Sequence, residues 1–152
     1  MKNFFTLIAA VLVVTPAFAA KMPMPSDMPK SYEAECASCH MAYPPGLLGE
    51  KSWQNVMSGL NKHFGTDASL DAKDQKEISV WLQKNAATKQ KYNVVAPENR
   101  ITKTSWFIRK HDEIKADVWR RPSIKSPANC GACHTNAAEG IFSEKNVAIP
   151  AK

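Results

Sequence analysis

The apolar positions of this chain recur mostly at steps of three and four, which is the spacing of one face of a helix. The clearest stripe is Trp53, Val56, Met57, Leu60, His63 and Phe64, with Ser52 as a candidate cap and Gly65 as its end. A second run begins at Asp71, carries Lys73 and Asp74 in its first turn, and continues through Ile78, Val80, Trp81 and Leu82. A third spans Thr104 to Val118, where Phe107, Ile108, His111, Ile114 and Val118 share a face and Arg109, Lys110, Asp112 and Glu113 lie off it. Ser31 to Cys39 reads as a shorter helix capped by Ser31. Both His63 and His111 therefore fall on apolar, core-facing stripes.

Between these runs the pattern weakens. Lys21 to Lys30, with three Pro and three Met, reads as an extended lead-in, and Tyr43-Pro44-Pro45-Gly46 as a rigid turn. Ala86 to Pro97 reads as a linker and Glu139 to Pro150 as a loop-rich tail. The predicted architecture is mostly α, with short helices and a division into residues 20–95 and 96–152. Residues 1–19 read as a secretory signal: Lys2 gives the positive end, Phe4 to Val14 the apolar run, and Ala17-Phe18-Ala19 the small-residue cleavage site. That run is shorter than the roughly 20 residues a membrane span needs. The expected product is soluble and exported, with no stable membrane insertion.

A chain of this size supports one small domain or two very small ones, with little apolar mass for a core. The formal net charge of +6 comes from scattered lysines rather than from a run. That scatter argues against nucleic acid and fits a solvated surface, or a face for acidic redox partners. Arg120-Arg121-Pro122 with Lys125 is the densest positive patch.

The cysteines change the picture most. All four lie in two runs, Cys36-Ala37-Ser38-Cys39-His40 and Cys130-Gly131-Ala132-Cys133-His134. CxxCH is the attachment signature of c-type haem: two sulfurs bond the porphyrin and the histidine ligates the iron. One helical turn with two intervening residues presents both sulfurs to one edge of the macrocycle and places the imidazole next to them. The remaining two of the four histidines, His63 and His111, are the number needed to complete both irons. Met57, on the same stripe as His63, is the competing ligand.

Other uses of the cysteines fit less well. Four-cysteine zinc sites place their motifs about 15–20 residues apart, whereas 90 residues separate Cys39 from Cys130. A disulfide or thioredoxin-like pair needs no histidine after the second cysteine, and no βαβ pattern surrounds either motif.

The first half, with a helix leading into CASCH and a later helix ending in Ile78-Ser79-Val80-Trp81-Leu82, resembles small class I cytochromes c. Across Cys36 to Pro45, Leu60 to Gly65 and Ser126 to Pro150, the chain resembles the bacterial dihaem cytochrome c family. The resemblance implies two haems held as bis-histidine, low-spin centres, with His40 and His134 proximal and His63 and His111 distal. It also implies a periplasmic address, a monomer that carries electrons rather than catalysing a reaction, and a redox partner such as a high-spin monohaem cytochrome or a membrane cytochrome b. The economical pairing joins His40 with His63 and His134 with His111; a crossed pairing would braid the halves. The alternative function is a small peroxidase, reductase or gas-binding protein in which one distal histidine leaves its iron.

Overall fold

The computed structural model describes residues 21–151; the expected signal sequence, residues 1–19, lies outside them. The described chain is helical, with five short α-helices joined by 3-10 turns, and its only extended pairings are isolated bridges. They are α1 (Lys30–Cys36), α2 (Glu50–Ser58), α3 (Ala72–Lys84), α4 (Ser105–Lys110) and α5 (Ala116–Trp119).

The expected helix start at Asp71 holds in detail. Asp71 caps α3, its carboxylate accepting from the Lys73 and Asp74 amides at 2.9 Å each, which satisfies donors that the first turn leaves free. Two other expected helices are broken. The stripe from Trp53 to Phe64 is helical only to Ser58; a 3-10 turn over Leu60–Lys62 follows, and His63 stands at its end. The run from Thr104 to Val118 stops at Lys110, leaving His111 as the C-cap of α4, and resumes as α5. Each histidine therefore ends a helical segment, where the backbone turns away and the ring is less confined by a preceding turn.

Ser31 and Ser52 are not caps. Pro29 stands at the N-cap of α1, and the Ser31 hydroxyl instead donates to Glu77 of α3. Ser52 lies within the first turn of α2, fully buried, where its Oγ accepts from the Ala96 amide at 2.9 Å and donates to the Val94 carbonyl at 3.4 Å. The stretch expected to be a linker is thus fastened to the first half. The Ala87 backbone N–H also donates a hydrogen bond to the Leu48 carbonyl at 2.8 Å, and Ala87 and Ala96 are both buried. Ser52→Ala leaves the Ala96 amide without its acceptor and is expected to cost about 1–3 kcal/mol, measurable as a lower urea midpoint with an unchanged slope.

Tyr32, Leu48, Trp53, Met57, Leu60, Ile78, Trp81, Leu82 and Ala96 form the larger core. Its centre is the packing of α2 and α1 on α3. A smaller cluster gathers Leu47, Trp106 and Phe107, with Met22, Tyr43, Tyr92, Ile101, Trp119 and Phe142 packed around it. Tyr43 and Ile101 belong to the margins of both.

The lead-in is extended, as expected, and it is anchored at both ends. Asp27 accepts from Trp81 Nε1 at 3.2 Å and pairs with Lys84 at 2.7 Å, so the lysine and the indole hold its carboxyl below the usual range. Upstream, Lys21 bridges to Ile141 and the Met22 amide donates to the Gly140 carbonyl at 2.9 Å. Gly140 has φ +71°, and a Cβ there would lie 2.0 Å from the Met22 carbonyl oxygen. Only glycine fits that approach of two backbones. The start of the described chain is thus held to the segment that follows the second CxxCH motif.

Candidate haem sites

The first motif begins at the last residue of α1. Cys36 ends the helix, Ala37 caps it, and Cys39 and His40 follow in an exposed turn. Burial in apolar surroundings pushes the Cys36 thiol up to about 11. The His40 ring is held from behind, with Nδ1 2.8 Å from the Met41 carbonyl. Two carbonyls of the Tyr43–Gly46 turn are engaged elsewhere: Tyr32 Oη donates to Tyr43 at 2.7 Å, and Trp53 Nε1 donates to Pro45 at 2.7 Å. An Nδ1–H bonded to a carbonyl fixes the tautomer and leaves Nε2 with its lone pair outward, ready for a metal.

His63 faces His40. Their ring centroids are 6.2 Å apart and their planes are inclined by 30°. Burial, then the proximity of His40 and Arg100, lowers the pKa of His63, keeping the imidazole neutral and its lone pair available. Met57, by contrast, is a buried member of the core cluster.

The second motif forms a 3-10 turn, Cys130–Ala132, followed by Cys133 and His134. Burial pushes the Cys130 thiol to about 11 and raises Cys133 as well, the latter opposed by Arg121. His111 and His134 stand with centroids 6.1 Å apart, their planes at 81°. His111 is fixed on two sides: Nδ1 lies 2.9 Å from the Phe107 carbonyl, and its ring stacks on Phe107 at 4.0 Å and 18°. Phe142 packs edge-on against His134 at 5.5 Å. His134 Nδ1 is buried without a hydrogen-bond partner among the described residues, and burial lowers its pKa.

These residues fit the group that CxxCH implies. Two metal–imidazole bonds of about 2.0–2.1 Å, with about 1.1 Å more from each ring nitrogen to its centroid, span roughly 6.3 Å. Both histidine pairs are set at that separation. The zinc alternative finds no support in the geometry: among the described residues no three His, Cys, Asp or Glu side chains converge on one point.

The basic patch divides. Arg120 is exposed, whereas Arg121 is half-buried and donates to the Pro150 carbonyl at 2.6 Å, tying down the tail. Sequence patterns did not single out Phe107 and Phe142 as partners of the two histidines. Phe107 lies one helical turn before His111, the i, i+4 relation that lets side chains meet, and that spacing was the available signal.

The comparisons with known proteins point to the same cofactor. The family model described as dihaem cytochrome c matches residues 32–142. A diheme cytochrome type c from Shewanella baltica OS155, solved by X-ray crystallography, is 40% identical with a TM-score of 0.71, covering 82% of this chain and 96% of that one. A diheme cytochrome c from Rhodobacter sphaeroides is 37% identical with a TM-score of 0.68, covering 79% and 99%. Another Rhodobacter sphaeroides structure, of purified DHC, is 39% identical at a TM-score of 0.66, covering 78% and 99%. No curated protein matches the chain. With the two CxxCH runs and a match over most of its length, the chain belongs to the dihaem cytochrome c family and carries two c-type haems.

Proposed function

We propose that this protein is a periplasmic electron carrier whose two haems are each held by two histidines, His40 with His63 and His134 with His111. The observation that carries this reading is the pair of imidazole separations, 6.2 and 6.1 Å. At those separations His40 with His63, and His134 with His111, would each hold one iron between them and leave no position for a substrate. When bound, the haems supply one-electron redox chemistry.

The chain's own residues do the rest. Cys36, Cys39, Cys130 and Cys133 are the thioether positions. The carbonyls of Met41 and Phe107 hold the rings of His40 and His111 in place, so little has to move when the charge at either site changes. No proton donor or acceptor histidine is left over once all four are used, which favours a carrier over a peroxidase or reductase. Compared with a His/Met site, bis-histidine ligation gives a lower potential.

The periplasmic address rests on the signal-like residues 1–19 and on the family; among the described residues, no helix is long and apolar enough to cross a membrane. The proposed partners are redox proteins with an acidic docking face, such as a high-spin monohaem cytochrome or a membrane cytochrome b, met by a monomer with scattered positive charge.

The test is spectroscopic. The purified protein is expected to hold two haems per chain, both low-spin in both redox states, and to bind no carbon monoxide when reduced. A high-spin component, or carbon monoxide binding without denaturation, overturns this reading in favour of an enzyme or gas-binding protein. Electron paramagnetic resonance should also resolve two oxidised low-spin signals of different shape. With iron bound, each imidazole would donate π density into the one iron orbital that its ring plane selects. The 81° pair would therefore load two orbitals nearly equally, whereas the 30° pair would load mainly one. The first arrangement gives the more anisotropic signal.

A further inference from the structure

One side chain touches both haem sites and has been left without a role. Tyr43 follows the first CxxCH motif, and its ring lies 4.8 Å from that of His40, inclined by 32°. Its hydroxyl reaches across to the other half and donates to the Ala128 carbonyl at 2.6 Å. The Cys130 sulfur, a thioether position of the second site, lies 3.7 Å from that same oxygen. Tyr43 packs at the margin of both hydrophobic clusters, and its own carbonyl is held by Tyr32.

We propose that Tyr43 is a positioning residue that clamps the two haem sites at a fixed spacing and so governs electron exchange between them. This rests on the reading of two ligated irons given above. The clamp has two fixed points: a ring seated on a ligand imidazole and a hydroxyl bonded beside a thioether cysteine. The half-to-half bond is a single hydroxyl to a carbonyl, so the tie can be cut without removing the ring. In the step it governs, one electron leaves the reduced iron and arrives at the oxidised one; no bond forms or breaks and no proton moves.

The test compares Tyr43→Phe, Tyr43→Leu and Tyr32→Phe with the wild type as haem-loaded proteins poised half-reduced. Magnetic exchange between haem methyl resonances, extrapolated to low protein concentration, gives the intramolecular rate. Losing one net hydrogen bond shifts the balance of clamped and unclamped forms roughly fivefold. Tyr43→Phe is therefore expected to slow exchange about two- to fivefold while both haems stay low-spin. Tyr43→Leu, which also removes the ring, should slow it further. Tyr32→Phe destabilises the same turn without touching the second site and should leave the rate within about twofold of wild type. Exchange in Tyr43→Phe at the wild-type rate, or equal slowing in Tyr32→Phe, overturns the clamp and leaves the ligation reading intact. A wild type that lacks two low-spin signals overturns both.

Discussion

His63→Ala is expected to convert one of the two haems to the high-spin state and to let that haem alone bind carbon monoxide when reduced. The other haem stays low-spin. The imidazole of His63 stands 6.2 Å from that of His40 and reaches the space between them from the end of a 3-10 turn, away from the attachment motif. Its loss removes one axial donor but neither the covalent attachment nor His40, which Met41 still orients. Little else depends on His63, because the ring is only half-buried and, among the described residues, no side-chain hydrogen bond anchors it to the fold. His111→Ala should do the same to the other haem. The paramagnetic spectrum separates the two cases: His63→Ala should abolish the signal from the 30° pair and His111→Ala the signal from the 81° pair. If each variant abolishes the other's signal, or if one variant perturbs both haems equally, the pairing is wrong.

Phe107→Ala should produce the largest loss of stability. Phe107 is 7% exposed, stacks on His111, and touches Trp106 and Trp119. It is the centre of the smaller cluster, with few residues available to collapse into the space it leaves. Truncating a buried phenylalanine costs about 3–5 kcal/mol, which in a protein of this size lowers the melting temperature by roughly 10 °C or more. The effect on ligation should be smaller. The His111 Nδ1 bond is made to the backbone carbonyl of residue 107, which the substitution keeps. The variant is therefore expected to melt early while remaining low-spin at room temperature, with only the crossed-plane signal altered. A high-spin haem at room temperature would show that the stacked ring, rather than the carbonyl, holds His111.

The two histidine stripes illustrate how far periodicity carries. The spacing of Trp53 to Phe64 placed His63 on the core side, and the spacing of Phe107 to Val118 did so for His111. In both cases the helix ends before the stripe does, so the ring emerges at a helix end instead of from a continuous face. Periodicity reports which side of the chain is apolar. It does not report where the backbone leaves the helix, since that depends on tertiary partners. Phe64, next to His63, shows the cost of that exit with φ +51° and a ring 45% exposed, covered on one face by Arg100 at 4.1 Å.

Caps were less legible than stripes. Asp71 acts as a cap where a local pattern said it would, because its bonds are to amides two and three residues away. Ser52 has the same credentials, yet its hydroxyl is used by Val94 and Ala96 more than 40 residues on. A side chain able to satisfy either a local or a distant amide is assigned by packing, not by its neighbours in sequence.

What the sequence determined by itself is chemistry that is local in the chain: two cysteines and a histidine within five residues, twice over, and two further histidines to match them. A covalent attachment site needs nothing beyond that spacing, so the cofactor and its number were readable at once. Tertiary structure alone decided which imidazoles face each other, the angle between their planes, the anchoring of residues 86–97 to the first half, and the contact of Tyr43 with the second. Those are distances between segments tens of residues apart, set by which apolar surfaces bury against one another. No short-range pattern encodes that choice, because the free energy that makes it is summed over the whole core.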